Sequence, residues 1–160
     1  MESDAITLGW GVVPALYVQG VNMTGGELSE RIHRLLLLLN AGELLPAFQE
    51  FYQPEARFYE NNYLFAESRA EAYERQANFI DTCSYFSGNV ELVHTDLGRG
   101  ISVFYNRSDY EHETYGRGHV NGVHVGYWQG PAIAREEYFS GDRVSETLEF
   151  WQLVGRAARR

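Results

Sequence analysis

Cysteine is nearly missing from this chain: Cys83 is the only one in 160 residues. An internal disulfide is therefore excluded, and a reducing compartment, the cytoplasm, is expected. No motif around Cys83 suggests a nucleophile, and it reads as helix packing. No apolar run reaches the ~18 residues of a spanning helix. The start, Met1-Glu2-Ser3-Asp4, lacks the basic region of a signal peptide. Positive charge is scarce, with 13 Lys and Arg against 22 Asp and Glu and a net charge of −9. A chain without a basic face is a poor partner for nucleic acid or an anionic membrane. The one local exception, Arg156-Ala157-Ala158-Arg159-Arg160, reads as a solvated tail. The histidines (His33, His94, His112, His119, His124) show no zinc spacing, and His119 and His124 are expected on opposite faces of one strand. Gly98-Arg99-Gly100 and Gly116-Arg117-Gly118 read as turns or bulges rather than as phosphate-binding loops before a helix, and no Gly-x-Ser-x-Gly elbow occurs.

Aromatic residues, by contrast, are plentiful: Tyr 11, Phe 9 and Trp 3. Such side chains fill cores and also line ligand cavities. The length fits one domain. Residues 1–22 read as an N-terminal arm broken by Pro14 and three glycines, residues 23–155 as a single α+β domain, and residues 156–160 as a basic tail. Thr24-Gly25-Gly26-Glu27 has capping-box spacing and opens a helix, in which the leucines at 35–39 predict burial around most of the circumference. A second short helix runs from Leu44 to Tyr52, and a strand from Glu55 to Asn61. Ser68-Arg69-Ala70-Glu71 opens a third helix reaching about Phe86. Beyond Gly88 the period changes to two, predicting strands at 90–95, 100–109, 117–128, 132–139 and 144–151. Helices first and an antiparallel meander afterwards define an α+β domain, whose curved sheet leaves a cavity at its open end.

The segment from Leu39 to Asn62 carries the most information. A helix end, a turn at Gly42, a short helix and a strand lead into Tyr59-Glu60-Asn61-Asn62, a polar strand end suited to a pocket wall. With Leu39-Asn40-Ala41-Gly42-Glu43 before the second helix and Gln53-Pro54-Glu55-Ala56-Arg57-Phe58 at the first strand, residues 24–152 resemble the cone-shaped nuclear transport factor 2-like (SnoaL-like) superfamily. The resemblance implies a curved antiparallel sheet wrapped around three N-terminal helices. It also implies a small-molecule pocket for a small apolar or ring-containing molecule, and a homodimer paired through the sheet face.

At polar positions the chain is most similar to limonene epoxide hydrolase: Tyr59 and Asn61 on the first strand, Arg107 and Asp109 on a later one, and Glu149 near the end. That likeness implies Glu149 as the base for water, held by Tyr59 and Asn61, with Asp109 as the proton donor and Arg107 bridging both acids. No metal or organic cofactor is implied. The other reading of the same residues is an exposed ion pair of small energetic weight. The first-strand register leaves two alternatives open. Tyr59 with Asn61 inward favours a hydrolase wall. Phe58 with Glu60 inward favours a SnoaL-like cyclase or isomerase in which Glu60 moves the proton and Arg135 holds an oxygen. Phe58, Tyr105, Trp128, Arg135 and Trp151 are the candidate ligand-contacting residues. A non-catalytic ligand-binding or dimerisation module is the remaining alternative, in which Arg107, Asp109 and Glu149 stand unconnected in solvent.

Overall fold

In α1 (Gly25–Asn40), the Thr24 hydroxyl accepts from the Glu27 N–H and the Glu27 carboxylate accepts from the Thr24 N–H, which closes the expected capping box. The structure, a computed structural model, describes residues 23–160, and the expected arm over 1–22 lies outside the described residues. α1 buries one stripe only, through Leu28, Ile32 and Leu35, while Leu37 is 71% exposed; the leucine run does not produce a helix buried all round. Gly42 takes φ 78°, a conformation open to glycine, and turns the chain into α2 (Leu44–Phe51). β1 (Tyr52–Glu60) follows directly. Asn61 and Asn62, both with positive φ, then turn the chain into β2 (Tyr63–Ala66).

From the Ser68 cap, α3 runs only over Arg69–Ile80. The Thr82 hydroxyl donates to the carbonyls of Asn78 and Phe79, closing the last turn. The expected continuation to Phe86 is instead β3 (Cys83–Ser87), so Cys83 sits half-buried on a strand, not in a helix. β4 (Val90–Asp96), β5 (Ile101–Asn106), β6 (Asp109–His112), β7 (Gly116–His119), β8 (Gly122–Gln129) and β9 (Ala132–Ser140) complete the strands. Each of two expected long strands is broken in two. The Arg107 N–H donates to the Asn89 carbonyl at 2.8 Å and the Val120 N–H to the Ser108 carbonyl at 2.7 Å, so the chain leaves one sheet and enters another at these points.

The larger sheet has the order β2-β1-β9-β8-β5-β4, and the smaller β3-β6-β7. Pairing is antiparallel except between β1 and β9, which run parallel. The largest departure from expectation is residues 144–151, which lie in α4 (Arg143–Ala157) rather than in a strand. Val144, Leu148 and Trp151 recur at helical spacing and pack on Val103, Val123 and Val125. Arg156 belongs to the last turn of this helix, where a cation suits the negative end of the helix dipole.

Two cores flank the large sheet. Leu28, Ile32 and Leu35 of α1, Ala47 and Phe51 of α2 and Ala72 of α3 pack with Ala56, Phe58, Phe104, Trp128 and Ile133 on one face. α4 covers the other across β4, β8 and β9. The sheet face expected to pair between two copies is thus covered, over those strands, by the chain's own helix. Among the described residues no helix is long and apolar enough to cross a membrane.

One glycine is fixed by a close approach. A Cβ on Gly88 would lie 2.1 Å from the Leu39 carbonyl oxygen and 2.9 Å from the Asn40 Cα. The Asn40 side chain holds this junction, donating to the Val90 carbonyl and accepting from the Val90 N–H, both at 2.8 Å. Backbone on both sides cannot yield without breaking that clasp. Gly88→Ala is expected to destabilise the fold by about 1–3 kcal/mol, read as a lower urea midpoint at unchanged slope.

Candidate functional site

Strand pairing gathers a polar set on the face that the first three helices cover. Phe58 lies beside Glu136 and Glu60 beside Tyr138 in the parallel β1–β9 pair. His124 lies opposite Tyr138 and Phe104, and Asn106 opposite Gly122. Phe58, Glu136, Tyr138, His124 and Asn106 therefore share one face.

Glu136 is the centre. One oxygen accepts the Tyr52 hydroxyl, and the other lies 3.0 Å from His124 Nδ1. His124 Nε2 lies 3.3 Å from Asn106 Nδ2. The Tyr138 ring sits 4.6 Å from the His124 ring. Gly122 makes room for it, since a Cβ there would fall 2.1 Å from the Tyr138 Cε2. Phe48, Tyr52 and Phe58 form an aromatic wall with centroids 5.1–5.7 Å apart. The His124 and Glu136 side chains keep 25% and 13% of their exposure, so solvent reaches them, whereas Phe51 and Ala56 below are sealed. The pair is thus partly open to solvent at the edge of the helix-covered face.

Burial alone would raise the Glu136 carboxyl. The His124 ring, charged in its protonated form and hydrogen bonded in either, and the Tyr52 hydroxyl outweigh burial and hold it below the usual range. Tyr52 is pushed well up by burial and by the Glu136 charge. Tyr138 is raised to about 12 by burial and by the charges of Glu60 and Glu136, so its phenol stays a donor across the neutral range.

A depressed folded-state value adds stability above the unfolded value of 4.5 and loses it as pH falls through the folded one. The destabilisation caused by Glu136→Gln is therefore expected to shrink as pH falls through the acid range below the unfolded value of 4.5. Urea unfolding of both proteins across that range measures it.

The other expected residues are dispersed. Arg107 pairs with Glu91 at 2.9 Å, with both side chains about half exposed. Asp109 pairs with His119 at 2.9 Å on the small sheet, and Glu149 is exposed on α4. The three do not converge, because Arg107 lies in the break between β5 and β6, Asp109 pairs in the small sheet, and Glu149 lies on a helix. In β1 it is Phe58 that is buried against the helices, with Glu60 at the exposed strand end on the same face. Tyr59 faces the opposite way, under the Arg135 guanidinium at 4.3 Å. Asn61 has left the strand and clasps Ser140 through both ends of its amide. Arg135 pairs with Glu137 at 2.7 Å, away from Glu60. Tyr105 lies under Arg107 at 4.8 Å, and Trp151 stacks on His94 at 5.7 Å on the α4 side. Trp128 is on the helix-covered face but sealed, its Nε1–H donating to the Ser102 hydroxyl at 2.9 Å.

His124, Glu136, Tyr52, Tyr138 and Asn106 were not singled out from sequence. The signal that could have found Glu136 and Tyr138 was their alternation along one expected strand. Among the described residues no three His, Cys, Asp or Glu side chains are grouped to hold a metal ion. A separate open depression of about 740 Å³, lined by Asn61, Asn62, Tyr63 and Ser140 to Arg143, brings together no comparable titratable cluster.

No family model and no curated protein matches the chain. Solved structures do. A candidate SnoaL-like polyketide cyclase from Mesorhizobium loti aligns with TM-score 0.62 at 15% identity, over 74% of this chain and 100% of its own. PrhC from Penicillium brasilianum aligns with TM-score 0.61 at 10% identity, over 85% and 94%. A candidate SnoaL-like polyketide cyclase from Jannaschia sp. CCS1 aligns with TM-score 0.59 at 14% identity, over 80% and 95%. The chain has the α+β cone fold of nuclear transport factor 2-like proteins, to which its neighbours of SnoaL-like and NTF2-like type also conform. At these identities the likeness speaks for the fold, and activity rests on the site.

Proposed function

We propose that the protein is a cofactor-independent acid–base enzyme that moves a proton at a carbon next to a carbonyl, in the manner of a cyclase or isomerase. Its substrate is a small, largely apolar, ring-containing molecule. The observation that supports this reading is the His124–Glu136 pair, held at 3.0 Å on the helix-covered side of the sheet, partly open to solvent beside an aromatic cluster. Both Glu136 oxygens are engaged, so His124, the more exposed partner, takes the proton, while Glu136 orients the ring and stabilises its cationic form. The Tyr138 phenol, beside that ring, donates to the oxygen that becomes anionic. Phe48, half-buried beside the sealed Phe58, holds the apolar body of the substrate. The sequence contains no lysine, so a lysine imine is not an available route to an enolate. The dispersal of Arg107, Asp109 and Glu149 gives epoxide hydrolysis through those residues no geometric support.

The test is deuterium uptake from D2O into a panel of cyclic ketones and diketones, followed by mass spectrometry, with epoxides as a parallel arm. Enzyme-dependent uptake next to the carbonyl is the expected result. Binding of panel members without uptake would make the protein a carrier. Epoxide opening that needs Arg107 and Asp109 would reinstate the hydrolase.

A further inference from the structure

The hydrogen bonds around His124 run in one direction, and they fix its protonation. Asn106 and Ser108 are both buried. The Asn106 Oδ1 accepts the Ser108 N–H at 3.0 Å and the Ser108 hydroxyl at 2.6 Å. A backbone N–H only donates, so the amide cannot be turned over, and its Nδ2 must be the group facing His124 Nε2. The Ser108 hydroxyl, having spent its proton on Asn106, accepts the Asn89 N–H at 3.1 Å, which fixes its own orientation. An N–H group aimed at Nε2 requires a lone pair there. The ring proton then sits on Nδ1, where the Glu136 carboxylate accepts it. The chain Asn89 to Ser108 to Asn106 to His124 to Glu136 is a single run of donors, and Tyr52 closes it from the other side.

We infer that Asn106, locked by Ser108, is a positioning residue that keeps His124 in the neutral Nδ1–H tautomer, so that Nε2 is the ring atom at which a proton enters and leaves. At 3.3 Å the Asn106 contact is the longest in the run, which leaves Nε2 the most readily surrendered atom of the network. The groups facing the ring are Glu136, Asn106 and the Tyr138 ring, with Tyr52 behind Glu136 and Glu60 beyond Tyr138. Assigning Nε2 as the proton's point of entry rests on the reading of His124 as the base. The tautomer itself does not.

The experiment is 15N–1H NMR of the imidazole nitrogens of His124 in the full chain, assigned by comparison with His124→Gln. In the unsubstituted protein at neutral pH, Nδ1 is expected to be protonated and Nε2 to give the signal of a bare nitrogen. In Asn106→Asp, a carboxylate replaces the donor, and both nitrogens are expected to be protonated at the same pH. In Ser108→Ala, which keeps the residue-108 backbone N–H on the Asn106 Oδ1, the Nδ1–H tautomer is expected to persist. A protonated Nε2 in the unsubstituted protein at neutral pH overturns the inference without requiring either variant to fold. So does a folded Asn106→Asp protein with unchanged ring signals, or a Ser108→Ala protein in which Nε2 becomes protonated. If the tautomer is as assigned but no panel compound takes up deuterium, the proposed function fails and this inference stands.

Discussion

His124→Gln is expected to lower deuterium uptake into a responsive ketone by about 10²–10⁴-fold, the usual contribution of a positioned general base. Glutamine keeps similar bulk and an N–H for the Glu136 carboxylate, but its amide has no basic nitrogen. The stability cost is expected to be modest, on the order of one hydrogen bond, about 1 kcal/mol. His124→Leu should behave differently. It leaves the Glu136 charge with Tyr52 as its sole partner in a mostly buried site, and the loss of one member of such a pair costs about 3–5 kcal/mol. The glutamine variant thus separates chemistry from folding. Turnover assays and urea unfolding on both variants make the comparison, and equal activity in wild type and His124→Gln would remove His124 from the mechanism.

Phe51→Ala is expected to be the most damaging of the core truncations, lowering stability by about 3–5 kcal/mol. Phe51 is fully buried at the end of α2. Its ring meets Trp128 edge-on at 6.2 Å, and the Arg31 guanidinium lies 4.6 Å above it. Arg31 is itself tied to the carbonyls of Pro131 at 2.6 Å and Glu50 at 3.0 Å. Removing the ring would therefore open a cavity and undercut the contact that joins α1 to α2 and to the β8–β9 turn. Such surroundings cannot collapse freely into the space, which is the condition for a cost near the top of the range. The readout is the urea midpoint, expected to fall further than for Gly88→Ala.

The first half of the chain was readable because its signals are local. Thr24 with Glu27, Gly42 and Ser68 with Glu71 each act through neighbours within three or four residues, and all three stand where expected. The cone fold followed from that order. The second half depends on partners far along the chain. Val144, Leu148 and Trp151 match a helix as well as a strand, and the covered sheet face decides between them. The break at Arg107-Ser108 comes from the Asn89 carbonyl capturing the Arg107 N–H, which no local pattern announces. That break also undid the expected Arg107–Asp109 pair.

The site was hidden by one residue of register. A regular ladder counted from Gln129 opposite Ala132 would set His124 opposite Glu137. The bulge at Tyr127 and Trp128 moves its partner to Tyr138 and brings Glu136 within reach of His124. Since a one-residue slip exchanges the faces of a strand, alternation alone could name Glu136 and Tyr138 as a pair but could not place His124 beside them. The first-strand question had the same form, and the buried packing of Phe58 against Phe48 and Tyr52 answers it.

The most direct test of His124 and Glu136 as one catalytic unit is a double-mutant cycle on deuterium uptake, using His124→Gln, Glu136→Gln and the double variant. Groups that act as a unit are strongly non-additive, so the double variant is expected to be no slower than His124→Gln alone, within about threefold. Losses that multiply, or a Glu136→Gln protein with wild-type uptake, would contradict it.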